Sequence, residues 1–241
     1  MTVTVTPDTG YKLNALSVCD SKGNHIDVKR QSNTSYTFKM PSDRVTIEAV
    51  FAEINNAPAV PFSDVNTKDW FYDAVAYVYE NHMMNGTGNN CFNPMRTTTR
   101  AMIVTTLYRL EKQPSAGSCT FTDVPSGQWY TDAVAWTAAN GIVNGYGNKR
   151  FGPNDTITRE QVAAILYRYA QFKGYDVNDT SDLSRYADVN QVSNWAKSAM
   201  SWANARGLIT GNSATTLNPT GSATRAEVAA ILMRFAENAG K

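Results

Sequence analysis

Residues 121–168 read FTDVPSGQWYTDAVAWTAANGIVNGYGNKRFGPNDTITREQVAAILYR, and the order of signals along this stretch decides the fold. A helix is predicted from near Trp129 through YTDAVAWTAAN, where small and apolar residues alternate with polar ones at helical spacing. It ends in a segment containing Gly145, a helix-stop signal whose simplest reading is left-handed termination. An irregular run to Pro153 follows. Thr158 then opens a second helix, behind which Val162, Ile165, Leu166 and Tyr169 fall on one apolar stripe. A single helix pair has nothing to cover such a stripe.

The chain supplies two more copies. Phe62-Ser63-Asp64-Val65 and Tyr186-Ala187-Asp188-Val189 match the start of the quoted stretch. From Trp70, Trp129 or Trp195 to Gly86, Gly145 or Gly211 is 16 residues each time, and from there to Pro94, Pro153 or Pro219 is 8. A further 6 residues lead to Arg100, Arg159 or Arg225, and 9 more to Arg109, Arg168 or Arg234. Four constant spacings in three copies are a repeat architecture, and each copy can bury its stripe only against its neighbours. The repeats span 62–114, 121–174 and 186–238.

Residues 1–53 have a different period. TVTVTP, ALSVCD, HIDVKR, SYTFKM and RVTIEAVF alternate apolar and polar residues, which predicts about five short antiparallel strands. Pro7-Asp8-Thr9-Gly10 reads as a turn, and Ser21-Lys22-Gly23-Asn24 as a hairpin connection between ALSVCD and HIDVKR. Residues 54–61, rich in Ala, Pro and Asn, are a linker. The predicted fold class is mixed and multi-domain: a small antiparallel β-module, then an all-α pseudo-threefold domain with a central three-helix bundle.

Composition narrows the function. A net charge of +1 argues against nucleic acid, whose phosphates demand a concentrated basic field. No apolar run approaches the ~20 residues of a membrane helix, and no signal peptide is read at the N-terminus. Cys19, Cys91 and Cys119, with His25 and His82, make no metal-ligand cluster, and the thiols read as isolated, with a Cys91–Cys119 bridge the alternative. DVNDTSDLSRYADVN (176–190) is acidic but lacks the ordered spacing of a calcium loop. No cofactor is expected. Neither a paired-carboxylate glycosidase nor a histidine-activated nucleophile is legible, because the acids recur in triplicate and the histidines lie outside the repeated positions.

The three quoted patterns, with TRAM, TREQ and TRAE at Arg100, Arg159 and Arg225, resemble S-layer homology repeats over residues 62–236. VTVTPDTGYKL, DSKGN, YTFKMP and VTIEAVF resemble the divergent repeat modules of Gram-positive surface proteins. That copy reads as truncated, which would expose an edge strand open to self-association. The resemblance implies an extracellular cell-wall anchor. Such repeats bind secondary cell-wall polysaccharide, often bearing ketal-linked pyruvate, in grooves between neighbouring repeats. The alternative is a protein-interaction or self-assembly module that binds no glycan.

Part of the Thr-Arg motif is structural. Thr158 with Gln161, and Thr224 with Glu227, fit a capping box, whereas Met102 breaks the box of Thr99. The arginines are less easily explained, since a cation at a helix N-terminus is unfavourable by ~0.3–1 kcal/mol. Taken alone, the residues leave two readings level. In one, the unpaired first-turn amides and the guanidinium hold a carboxylate. In the other, each arginine pairs with an internal acid such as Asp64, Asp123 or Asp188. The resemblance favours the ligand and makes Arg100, Arg159 and Arg225 candidate binding residues. Trp70, Trp129 and Trp195 read as core or groove wall, with sugar stacking as a lesser role. Gly86, Gly145 and Gly211 line the pocket in the resembled family. Asp64, Asp123 and Asp188 either cap the tryptophan-bearing turn or accept sugar hydroxyls. Arg109, Arg168 and Arg234 read as structural, in last turns. The repeats are not expected to bind equally, since the first has Met102 and the third has no aromatic residue before its proline; one or two grooves, those using Arg159 and Arg225, are expected to dominate.

Overall fold

The computed structural model describes residues 1–8, 11–31, 34–53 and 60–238. The chain forms two compact units, Met1–Ala57 and Pro58–Lys241. Of the predicted turn at Pro7–Gly10, residues Thr9 and Gly10 lie outside the described residues, as does 54–59 of the predicted linker.

The first unit contains β1 (Thr2–Thr4), β2 (Tyr11–Asp20), β3 (Val28–Arg30), β4 (Ser35–Phe38) and β5 (Val45–Glu53). They form two antiparallel sheets, one ordered β1-β4-β3 and the other β2-β5. The turn at Ser21–Asn24 exists, tied by the Asp20 carboxylate, which accepts from the amides of Lys22 and Asn24 at 2.9 and 2.8 Å. It does not join a paired hairpin. Beyond the single bridge Cys19–His25, β2 pairs with β5 and β3 with β4. Val5, Val18 and Phe38 are buried, while Ile47, Val50 and Phe51 on β5 are exposed.

Among the described residues the second unit contains six helices: α1 (Tyr72–Glu80), α2 (Arg100–Leu110), α3 (Thr131–Ala139), α4 (Arg159–Phe172), α5 (Lys197–Ala205) and α6 (Arg225–Asn238). Two 3-10 turns, Val189–Gln191 and Asn194–Ala196, precede α5. The predicted stripes are buried: Val162, Ile165, Leu166 and Tyr169 on α4, and Val228, Ile231, Leu232 and Phe235 on α6. Each fully buried aliphatic side chain is worth about 1.5–3 kcal/mol. The closest helix pairings run between repeats, α2 with α3, α4 with α5 and α6 with α1. Consecutive helices of one repeat are therefore held apart by their loop, and each second helix covers the first helix of the next repeat. At the far ends, the Tyr169 and Phe235 rings meet at 5.6 Å, and Glu111 accepts hydrogen bonds from the Tyr169 hydroxyl and from Lys173.

The residues just before the Thr-Arg motifs close this arrangement. The Thr98 amide donates to Ala223 O, the Ala223 amide to Ile157 O and the Ile157 amide to Thr98 O, each at 2.9 Å. All three residues are fully buried, so a polar triangle of main chain satisfies itself in the dry interior. Of these three, only Thr98 carries a hydroxyl, and it has no hydrogen-bond partner among the described residues.

Helix ends differ from the expectation. The left-handed residues after α1, α3 and α5 are His82, Gly141 and Gly207, with φ of 56°, 69° and 68°. Gly86, Gly145 and Gly211 lie four residues further on, and of these only Gly211 has a positive φ. Their need for glycine is close approach. A Cβ on Gly86 would sit 2.7 Å from the Phe62 ring, and one on Gly211 2.7 Å from Thr216 O.

Candidate ligand-binding grooves

Thr99, Thr158 and Thr224 occupy N-cap positions, each hydroxyl accepting from the amide three residues on. Gln161 and Glu227 reach back to the amides of Thr158 and Thr224, at 3.2 and 2.7 Å, which completes two capping boxes. The next amides are also taken. Arg100, Arg159 and Arg225 donate their N–H to the carbonyls of Asp155, Gly221 and Arg96. Ala101, Glu160 and Ala226 donate to Pro153, Pro219 and Pro94. The expectation of free first-turn amides is thus overturned: the opening turn of each second helix is stitched to the proline turn of another repeat.

The motif side chains make the same crossing. Arg100 donates from Nε to Phe151 O at 2.8 Å and from Nη2 to Asn144 O at 3.0 Å. Arg225 donates to Phe92 O and Asn85 O, both at 2.7 Å. Arg159 donates from Nε to Leu217 O at 3.1 Å, and its Nη1 forms an ion pair with Glu227 at 3.3 Å. Each arginine is only 5% exposed. Aromatic faces cover two of them: Arg100 lies 4.5 Å from the Tyr146 centroid and 4.7 Å from Phe151, and Arg225 lies 4.4 Å from Phe92. The third repeat has Leu217 where the others have Phe92 and Phe151. Because the arm reaches into the following repeat, this missing aromatic affects Arg159, not Arg225.

None of the three arginines pairs with Asp64, Asp123 or Asp188. Nη1 of Arg100 and of Arg225 meets no acceptor among the described residues. Burial pushes all three guanidinium pKa values down, that of Arg225 to about 10. All three stay cationic at neutral pH.

The three aspartates act as clamps. Asp64 accepts from the amides of Phe92 and Asn93, Asp123 from Phe151 and Gly152, and Asp188 from Leu217 and Asn218, all at 2.7–2.8 Å. The predicted cap of the tryptophan turn does not match these contacts. Each carboxylate instead holds the proline-side end of its own loop, which keeps the carbonyls at 92, 151 and 217 aimed at an arginine.

Three grooves result, enclosing about 500, 370 and 460 Å3. The first takes Arg100 from repeat one, Asn144–Tyr146 and Arg168 from repeat two, and Trp195 from repeat three. The second takes Arg159, Thr210–Asn212 with Arg234, and Trp70. The third takes Arg225, Asn85–Thr87 with Arg109, and Trp129. Every groove therefore draws on all three repeats. Trp70, Trp129 and Trp195 are 63%, 59% and 55% exposed, so they stand at groove lips and are not core. Arg168 and Arg234 lie inside α4 and α6, not in last turns, and with Arg109 they face the grooves. Their constant spacing of nine from the motif arginine was the available signal: nine residues is two and a half turns, so each faces away from its own motif arginine and lines the groove of another. Among the described residues no group of His, Cys, Asp and Glu could hold a metal ion, and the three thiols are unbonded.

This geometry agrees with the chain's relatives. The S-layer homology domain matches residues 61–101, 120–163 and 185–229, and the divergent InlB B-repeat domain matches residues 1–55. The chain is 34% identical over 76% of its length to the surface-layer 125 kDa protein of Lysinibacillus sphaericus. It is 32% identical over 74% of its length to the amylopullulanase of Thermoanaerobacterium thermosulfurigenes, and equally to the exoglucanase XynX of Acetivibrio thermocellus. It spans only 15%, 10% and 16% of those three proteins. With the model matching in three places and the same side chains recurring in three grooves, the chain belongs to the S-layer homology family, its three repeats preceded by a divergent InlB B-repeat domain.

Proposed function

We propose that this chain is a non-catalytic anchor that holds an exported protein at the bacterial cell surface by binding secondary cell-wall polysaccharide in its three grooves. An acidic substituent of the glycan, such as a ketal-linked pyruvate, would meet the motif arginine and the second arginine of its groove: Arg168 beside Arg100, Arg234 beside Arg159 and Arg109 beside Arg225. The repeats would stand in pseudo-threefold order with α2, α4 and α6 as the central bundle.

One observation carries the reading: each groove combines an open indole at its lip with two guanidinium groups below. Indole faces stack on sugar rings, and an arginine fork suits a carboxylate. Free Nη1 atoms on Arg100 and Arg225 leave donors for it. The relatives point the same way. A surface-layer protein, an amylopullulanase and an exoglucanase differ in the activity their names carry, yet each shares this segment, a minor share of its length. Attachment is a role all three could have in common.

Retention on protein-free sacculi tests the proposal. Trp70, Trp129 and Trp195 are exposed, so changing all three to Ala leaves the fold standing, with a melting point within a few degrees of the parent. Retention of that variant is expected to fall at least about tenfold. Unchanged retention would reject the grooves as the binding sites and favour a protein-assembly role.

A further inference from the structure

The three grooves are not electrically alike, and the differences lie outside the repeated motif. In each, the main-chain N–H of the motif arginine docks on one residue of another repeat's proline turn: Asp155 beside Arg100, Gly221 beside Arg159 and Arg96 beside Arg225. One structural slot thus holds an acid, no side chain, and a base. A second slot, the third helical position of the capping motif, faces the grooves as Gln161, Glu227 and Met102.

Taken together, these slots separate the sites. The first groove has Arg100 and Arg168, with Asp155 close enough to stabilise the cation of Arg100. The second has Arg159 and Arg234, with Glu227 in contact with Arg159 at 3.3 Å. Counting lining side chains alone, the first carries two positive charges and the second one. The third is lined by Arg225, Arg96 and Arg109 and by no carboxylate. Met102, which spoils a capping box, also removes the acid that Glu227 supplies in the second groove. Arg96 is exposed and its side chain makes no hydrogen bond or ion pair among the described residues, so its charge is not spent within the protein. Burial, and after it the charge of Arg96, lowers the affinity of Arg225 for its proton, against an opposing pull from Asp64.

We infer that the Arg225 groove is the site for a doubly charged sugar group, of the class of a phosphate monoester, while the grooves of Arg100 and Arg159 take singly charged sugar acids. Three guanidinium groups around one cleft suit a dianion with three acceptor oxygens. In the second groove, a dianion would meet Glu227 and lose part of the attraction to repulsion. The inference rests on the carbohydrate reading above and assigns it a charge selectivity groove by groove.

The exposed tryptophans make the test site-specific, because each groove has its own. The whole chain labelled with 5-fluorotryptophan is titrated at pH 8 with glucose 6-phosphate, a dianion, and separately with glucuronate, a monoanion. The fluorine resonances are assigned by single Trp→Phe variants. Glucose 6-phosphate is expected to shift Trp129 at a concentration about tenfold or more below that needed for Trp70 and Trp195. Glucuronate should spread the three by less than about threefold, and added salt should shrink the lead of Trp129. Arg96→Asp, which copies the slot of the first groove at an exposed position, should abolish that lead. Equal responses to glucose 6-phosphate at all three tryptophans would overturn the inference, as would a lead of Trp129 that survives Arg96→Asp. If glucuronate still perturbs the tryptophans, the carbohydrate reading stands even then. If neither sugar perturbs any of them and sacculus retention is also lost, both fall.

Discussion

Replacing Arg225 by alanine should destabilise the helical unit even with no ligand in solution. The side chain spends two donors on Phe92 O and Asn85 O, both at 2.7 Å, in another repeat, and stacks over the Phe92 ring. Hydrogen bonds from charged donors contribute about 1.5–3 kcal/mol each. Asn85 is exposed, so water can take over its carbonyl after truncation. Phe92 is fully buried, so its carbonyl stays dry and unpaired. The lower half of the summed range applies, about 3 kcal/mol. For a unit of this size that corresponds to a fall of about 6–12 °C in melting point. Arg225→Lys, which can reach one carbonyl but not fork between two, should recover about half of the loss. Urea unfolding followed by tryptophan fluorescence reports this unit alone, because all five tryptophans lie within it. A loss below about 0.5 kcal/mol would refute the view of this arginine as an inter-repeat strut. The same reasoning makes Arg→Ala a poor test of sugar binding, since weak retention could follow from a loosened ring.

Two further outcomes are expected. Burial raises the Asp123 carboxyl, but the amides of Phe151 and Gly152 outweigh it and leave the pKa below the ordinary carboxylate value. Its contribution is therefore complete above the unfolded pKa of about 3.9 and fades as pH falls through the lower folded value. Asp123→Asn should cost about 2 kcal/mol near neutrality, and its deficit against wild type should shrink in urea melts taken below about pH 3.5. Thr98→Val keeps the shape of the side chain while removing a buried hydroxyl that has no partner. It should stabilise the chain by about 1 kcal/mol, read as a higher urea midpoint at unchanged slope.

Much of this was legible from spacing alone. The interval from Trp129 to Arg168, repeated three times, fixed the helices, the loop and the apolar stripes, because buried stripes must recur at helical period. What spacing could not disclose was which copy touches which. The contact of Arg225 with Phe92 spans 133 residues, and nothing local in TRAE signals a carbonyl so distant. Nor could spacing say that the missing aromatic at Leu217 in the third repeat bears on Arg159 of the second. Trp70, Trp129 and Trp195 read as core or groove wall because large apolar residues are usually covered, and only the closed arrangement leaves them at a lip. Gly86, Gly145 and Gly211 were visible as required glycines, yet the shared reason was crowding by Phe62, Phe121 or the following loop, with backbone handedness added only at Gly211. In the β-module, alternation gave strands but no partners, since a turn tied by Asp20 does not oblige the segments on either side of it to pair.

The triangle of main-chain bonds joining Thr98, Ile157 and Ala223 has a consequence for how many copies such a protein needs. An open stack of repeats can be any length, provided that its two ends are sealed by atypical capping units. A ring has no ends to seal. Each copy serves as lid for one neighbour and seat for the other, so a two-copy version would leave an amide and a carbonyl stranded in an apolar interior, and a fourth copy would find no vacancy. Three is then a closure condition imposed by the backbone, and extra wall affinity has to come from a second ring rather than a longer one.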